Sequence, residues 1–146
     1  DVRNFGAIAR TCECAGVDAI VIPERGSVSV GGDAVKTSAG ALLHIPVCRE
    51  RSAASAVRFL KDNGYTVVAA SEKADINYTM ADYTVPVAIV MGAEDVGLSP
   101  EVMKLCDTFV SIPQFGHIGS LNVSVAAGVI IYEVVRQRLQ SNREVI

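Results

Sequence analysis

The chain has 146 residues, a formal net charge of −3 and a hydrophobic fraction of 50%. This length and composition predict one globular domain with a full core, and no apolar run reaches the length of a membrane span. The small negative charge gives no electrostatic footprint for a polyanion, so a nucleic-acid role would depend on local basic residues or on a further segment.

Helices and strands are predicted to alternate in the first half of the chain. The helices cover residues 4–15, a brief segment from residue 33, and residues 52–63, and the strands cover residues 18–22 and 43–47. Asn4 and Asp33 are the candidate helix caps, whereas Gly16 and Gly64 follow the helical patterns as stop signals.

The second half continues the alternation with longer apolar runs. The strands cover residues 65–70, 85–91 and 108–112, and the helices cover residues 99–106 and 121 to about 139. Ser99 followed by Pro100 is a strong helix start, because proline is favoured at the first helical position. Continuous apolar strands separated by helices indicate an α/β fold with a mostly parallel sheet and helices on both faces.

Small and polar residues cluster where the last helix is predicted to begin. Gly116 and Gly119 precede Ser120 and Asn122, although a helix core needs none of them. Free backbone N–H groups and the positive end of the helix dipole are available there to hold a polar ligand. Ligands of α/β folds collect beyond the carboxyl ends of the strands, and the glycine-rich residues 92–98 also follow a strand. Two such strand ends can cradle an uncharged ring such as adenine through backbone groups.

Motifs for several other kinds of site are absent from the sequence. No G-x-G-x-x-G follows a strand, and no P-loop, H-E-x-x-H or G-x-S-x-G motif occurs. Cys12 and Cys14 lie two residues apart in a helical pattern and face different directions, which argues against a zinc knuckle or redox pair. We expect reduced, mostly buried thiols, and with only His44 and His117 available we predict no metal site.

Three sequence motifs occur in order along the chain. The first is NFGAIAR at residues 4–10, and the second is MGAEDVGL at residues 91–98. The third lies in residues 112–127 and contains IPQFG and SLNVSVAA. Together they resemble the three motifs of the SpoU family, RNA ribose 2′-O-methyltransferases of the SPOUT superfamily. The sequence looks closest to the branch that methylates a guanosine in 23S ribosomal RNA, and the transfer-RNA branch is the alternative. Gln114 replaces the expected methionine and Asp95 a small residue, at positions that the family does not use for chemistry.

The resemblance implies a cofactor, a fold and a set of site residues. S-adenosyl-L-methionine would be bound largely through backbone groups at Gly92, Ile112 and Leu121. The C-terminal segment would be threaded into a deep trefoil knot, which pattern reading alone does not predict because chains are normally unknotted.

The same resemblance assigns Arg10 to the ribose 2′-hydroxyl, with Asn4, Glu94, Ser120 and Asn122 orienting Arg10 and the ribose. Each residue also has a structural explanation. Asn4, Ser120 and Asn122 are good helix caps, Arg10 is compatible with a solvated helix face, and Glu94 with a turn. Their joint occurrence at these spacings favours the site.

The resemblance also implies a homodimer that packs through the first and last helices. The last helix is apolar beyond what one sheet face covers, which usually marks a partner surface. Its apolar residues are Leu121, Val125, Val129, Ile130 and Val134.

Residues 1–146 are expected to form a cytoplasmic catalytic domain without a membrane partner, and an N-terminal RNA-binding domain is expected outside this segment. Ribosomal RNA is the expected substrate ahead of transfer RNA, with contacts here limited to Arg3, Arg10, Arg49 and Arg51. Two other hypotheses remain: a catalytically silent RNA-binding module of the same fold, and an unknotted flavodoxin-like nucleotide-binding domain.

Overall fold

The computed structural model describes residues 1–24, 31–92 and 97–145. The helices are α1 (Val2–Ala15), α2 (Gly32–Thr37), α3 (Ala53–Asp62), α4 (Pro100–Leu105) and α5 (Val123–Val145). The strands are β1 (Ile20–Pro23), β2 (Val47–Glu50), β3 (Thr66–Ala70), β4 (Ile76–Asn77), β5 (Val87–Val90) and β6 (Thr108–Ser111). The chain divides into two compact units, Asp1–Ala56 and Val57–Ile146, and the boundary falls within α3.

In the first unit, β1 and β2 form a parallel pair and α1 packs against α2. The face of α1 toward this core carries Phe5, Ala9 and Cys12, all buried. The two helices approach closely at Gly6, where an added Cβ would lie 2.7 Å from the Cβ of Thr37. A glycine is therefore required at this position of α1.

In the second unit, four parallel strands pair in the order β4-β6-β3-β5. The central residues of β3 are almost wholly buried, which explains why this strand is a continuous apolar run. Val68 of β3 packs with Tyr83, Val110 and Ile130 in one core cluster. The predicted α/β class and parallel strand pairing are confirmed.

The second half of α5 is held to residues 78–86 by a buried polar network. Glu133 accepts hydrogen bonds from Arg136 Nε at 2.7 Å and from Gln137 Nε2 at 2.7 Å. Gln137 accepts from the backbone N–H of Tyr83 at 2.9 Å, and the Tyr83 hydroxyl donates to the carbonyl of Tyr78 at 2.7 Å. Arg136 holds the pKa of Glu133 below its usual value, and burial raises the pKa of Tyr83 to about 12.

The predicted boundaries were wrong at several elements. Helix α1 begins at Val2, because the carboxylate of Asp1, and not Asn4, caps it by accepting from the N–H of Arg3 at 2.7 Å. Helix α2 begins at Gly32, so Asp33 lies in its first turn rather than at its cap.

The strand predicted at residues 43–47 is also wrong. A 3-10 helix occupies Ala41–Leu43 after Gly40, whose φ of 83° turns the chain, and the strand starts only at Val47. Leu43 is exposed, so apolar character there does not reflect burial in a sheet.

Helix α5 extends to Val145 rather than to about residue 139, since no glycine or proline ends it where the apolar pattern weakens.

The cysteines are free, but only Cys12 is fully buried, whereas Cys14 and Cys48 are exposed. Among the residues that the structure describes, no helix is long and apolar enough to cross a membrane.

Candidate functional site

The first part of the candidate site lies on α1. Arg10 is exposed, while its neighbour Ala9 is buried in the core of the first unit, so the helix presents the guanidinium away from that core. Asn4 is half-buried six residues earlier on the same helix. Six residues of helix correspond to about 9 Å along the axis and about 120° around it. Separate roles for Asn4 and Arg10 fit this geometry better than a direct contact.

The second part lies at the carboxyl edge of the four-stranded sheet. Gly92 follows β5 and Ile112 follows β6, and these two parallel strands flank β3. Two strand spacings put the ends about 10 Å apart. Met91 and Ile112 both pack against the core cluster of Val68, Tyr83, Val110 and Ile130, which fixes where each loop leaves the sheet. The structure therefore brings two of the three predicted cofactor positions to one edge.

The loop after β5 turns back tightly against Gly92. A Cβ added to Gly92 would lie 2.9 Å from the carbonyl carbon of Gly97 and 3.1 Å from the backbone nitrogen of Leu98. Gly97 itself has a φ of 66°, in the left-handed region that favours glycine. The backbone atoms of Gly97 and Leu98 therefore come close to Gly92. Glu94 lies outside the described residues.

The third part is the start of α5, where Asn122 is the helix cap. Its Oδ1 accepts from the backbone N–H of Ser124 at 2.9 Å and of Val125 at 3.4 Å, and also from the Ser124 hydroxyl. The carbonyl of Asn122 accepts from Ala126 N–H at 2.9 Å, which closes the first helical turn. The structural explanation of Asn122 is thus confirmed, and the helix fixes the orientation of its side chain. Ser120 is exposed just before this cap.

Residues 113–122, the β6–α5 loop, are exposed throughout. The ring of Phe115 is 96% exposed and Ile118 is 78% exposed, whereas the predicted cofactor residue Leu121 is 39% exposed. Phe115 was not among the site residues predicted from the sequence. The sequence did contain a signal for Phe115, because an aromatic residue in a Pro/Gly loop has no strand or helix to bury it.

Arg3 and Lys36, together with Asp33, line an open cleft in the first unit. Across residues 1–24, 31–92 and 97–145, no group of three or more His, Cys, Asp or Glu side chains could hold a metal ion. Among the described residues, α1 carries the exposed guanidinium of Arg10, whereas the sheet edge and the start of α5 offer backbone groups and neutral side chains.

Comparisons with known proteins agree with the motif resemblance. The profile of the SpoU rRNA Methylase family matches residues 1–132. A Staphylococcus saprophyticus protein, named as a member of the TrmH family of tRNA/rRNA methyltransferases, is 43% identical over 138 residues, which cover 94% of this chain and 55% of that protein.

Solved structures are similar along nearly the whole chain. The A. aeolicus TrmH/SpoU tRNA modifying enzyme has a TM-score of 0.88 and 32% identity, covering 97% of this chain and 72% of its own. The SpoU methyltransferase AviRb from Streptomyces viridochromogenes, in complex with AdoMet, has a TM-score of 0.89 and 30% identity, covering 96% of this chain and 57% of its own.

The present chain spans about half the length of the curated relatives that it matches, 55% for the S. saprophyticus protein. The family match nevertheless covers all three motif segments, including the α1 residues, the loop after β5 and the start of α5. The chain belongs to the SpoU rRNA methylase family.

Proposed function

We propose that this chain is the catalytic part of an RNA ribose 2′-O-methyltransferase that uses S-adenosyl-L-methionine. The observation that carries the proposal is the tight, backbone-lined turn at Gly92 on the same sheet edge as Ile112, in a chain that has all three family motifs. The AdoMet complex of AviRb supports the choice of cofactor.

The residues at the edge of the sheet suit an adenosyl group. Gly92 leaves backbone atoms within 2.9–3.1 Å of where its side chain would be, so the turn can present N–H and C=O groups to a flat ring. Ile112 and Leu121 would complete the cofactor site from the other loop. When bound, S-adenosyl-L-methionine supplies an activated methyl group on a sulfonium. The protein then has to align the acceptor oxygen and manage one proton.

Arg10 is the residue proposed to act on the ribose 2′-oxygen. A guanidinium is a poor base, because its pKa lies above about 12. Its role is therefore to stabilise the negative charge that develops on the 2′-oxygen as the proton leaves. Asn4, Glu94, Ser120 and Asn122 would orient the ribose, and the fixed cap geometry of Asn122 makes it a rigid contact.

The variant Arg10→Ala tests this assignment. Methyl transfer should fall by at least about 100-fold, whereas the affinity for S-adenosylhomocysteine should stay within about twofold. Arg58→Ala is a matched control, since Arg58 is an exposed arginine that pairs with Glu101 on the surface, and it should keep wild-type turnover. Wild-type turnover of Arg10→Ala would contradict the assigned role.

The motifs also support a proposal for the RNA that is methylated. A guanosine in 23S ribosomal RNA is the first candidate, and the A. aeolicus tRNA modifying enzyme favours transfer RNA as the second. Arg3 and Lys36, which line one cleft, are suited to contact phosphates on either RNA. Mapping of ribose methylation in ribosomal and transfer RNA, from cells with and without the gene, decides between the two.

The same proposal includes a homodimer and a trefoil knot in the C-terminal segment. It also includes a cytoplasmic location and an RNA-binding domain beyond this segment. Exposed apolar side chains recur on α5 at seven-residue intervals, at Val125, Tyr132 and Leu139, which is the pattern of a helix face with a partner. Sedimentation of the chain should give the mass of two copies. A sedimenting monomer at micromolar concentration would contradict the dimer.

Calorimetry with S-adenosylhomocysteine separates the enzyme from a catalytically silent RNA-binding module. The enzyme should bind one equivalent per chain, whereas a module that kept only the fold would have no reason to keep an adenosyl site. The absence of binding at millimolar ligand would overturn the proposed function.

A further inference from the structure

Phe115 is the most exposed large hydrophobic side chain in the described part of the protein, at 96%. Folding gains nothing from a phenyl ring in water, because burial of such a ring is what stabilises a core. It lies in the β6–α5 loop, five residues before Ser120 and seven before Asn122. A ring in that position is available for contact with a partner outside the fold.

The loop that carries the ring has a single titratable side chain, that of His117. No Asp, Glu, Lys or Arg occurs between Ile112 and Val125. Gln114, the residue before the ring, donates from Nε2 to the carbonyl of Ile112 at 3.3 Å, which folds its side chain back onto the loop. Nothing lies within 4 Å of a Cβ built on Gly116, so the backbone next to the ring is open. A flat partner that stacks on the ring fits this loop.

We propose that Phe115 is a stacking platform for an RNA base next to the nucleotide whose ribose is methylated. This inference rests on the proposed function. Proteins recognise single-stranded RNA by stacking unpaired bases on aromatic side chains, and phosphate contacts are made by separate basic residues. The loop matches that division, since its ring is neutral and precedes Ser120 and Asn122 in the same loop, while the lysines and arginines lie elsewhere in the chain. Phe115 is thus a substrate-positioning residue.

Steady-state kinetics of Phe115→Ala test the proposal, with ribosomal and transfer RNA from cells that lack the gene as substrates. Loss of one stacked base should raise KM for RNA by about 5- to 150-fold with kcat nearly unchanged. Binding of S-adenosylhomocysteine and the sedimentation coefficient should stay as in the wild type. Phe59→Ala is the matched control, because Phe59 is also a largely exposed phenylalanine (64%) but lies on α3.

The sequence offers a direct optical test, since the chain has no tryptophan. Phe115→Trp introduces a single indole that keeps the stacking surface, so its KM for RNA should stay near the wild-type value. Addition of a short single-stranded oligoadenylate should quench its fluorescence, and an abasic oligonucleotide of the same length should not. Phe59→Trp should show no base-dependent quenching.

Other results would overturn the proposal. An unchanged KM in Phe115→Ala excludes stacking on the substrate. A parallel loss of S-adenosylhomocysteine affinity assigns the ring to the cofactor, and a shift in sedimentation assigns it to a second copy of the chain. A wild-type protein without methyl transfer refutes the proposed function instead, and the quenching of Phe115→Trp still reports whether a base stacks there.

Discussion

Replacing Gly92 with alanine tests whether the tight turn after β5 shapes the proposed cofactor site. The new Cβ would lie 2.9 Å from the carbonyl carbon and 3.0 Å from the Cα of Gly97. Carbon atoms pack best at about 3.5–4.0 Å, so the turn has to open by about 0.5 Å or more. The neighbouring atoms belong to the backbone, which cannot rotate away as a flexible side chain could.

Overpacking of this kind costs about 1–3 kcal/mol. The melting temperature should therefore fall by about 3–10 °C. Because the displaced backbone is the part proposed to hold the adenosyl group, the affinity for S-adenosylhomocysteine should fall by at least about tenfold, which corresponds to 1.4 kcal/mol.

Thermal unfolding and calorimetry measure the two effects in the same preparation. Gly116→Ala makes the same chemical change where no atom lies within 4 Å of the new methyl group, and it should keep the wild-type melting temperature. A Gly92→Ala variant with unchanged stability would refute the packing argument. Lowered stability with wild-type cofactor affinity would show that the turn does not form the adenosyl site.

Three further predictions concern single contacts. Asn122→Ala should lower stability by about 1 kcal/mol because α5 loses its cap, and Asn122→Asp should restore most of it in denaturant unfolding. Because its pKa is lowered in the folded protein, the pairing of Glu133 with Arg136 stabilises the protein at neutral pH, and this stabilisation is lost as the pH falls through the pKa of Glu133. Glu133→Gln should therefore reduce the dependence of the unfolding free energy on pH in the acidic range. Gly6→Ala should lower the melting temperature, since its Cβ would lie 2.7 Å from that of Thr37, whereas Gly32→Ala, with open space, should not.

Local sequence patterns predicted the elements of the fold that depend on residues near one another in the chain, such as apolar strands and helix caps. The continuous apolar run of β3 is buried as expected, and Ser99 caps α4 by accepting from the N–H of Val102 at 3.2 Å. The start of α5 was displaced by only two residues, and its cap, Asn122, had been among the candidate caps.

Features that depend on distant partners were not predictable in this way. Arg136 and Gln137 follow Glu133 at helical spacing, but nothing local reveals that Gln137 also accepts from the distant backbone N–H of Tyr83. The two-residue strand β4 exists only because it pairs with β6. Among the site residues, the requirement for glycine at 92 came from the motif, and its physical reason became visible only in the close approach of Gly97.

The central proposal is that this chain methylates the ribose 2′-oxygen of RNA. The most direct measurement incubates it with methyl-labelled S-adenosyl-L-methionine and with ribosomal and transfer RNA from cells that lack the gene, followed by digestion to nucleosides. Label is expected in a 2′-O-methylated nucleoside with the wild-type chain, and at least about 100-fold less label with Arg10→Ala. Label on a base, or equal labelling by both proteins, would contradict it.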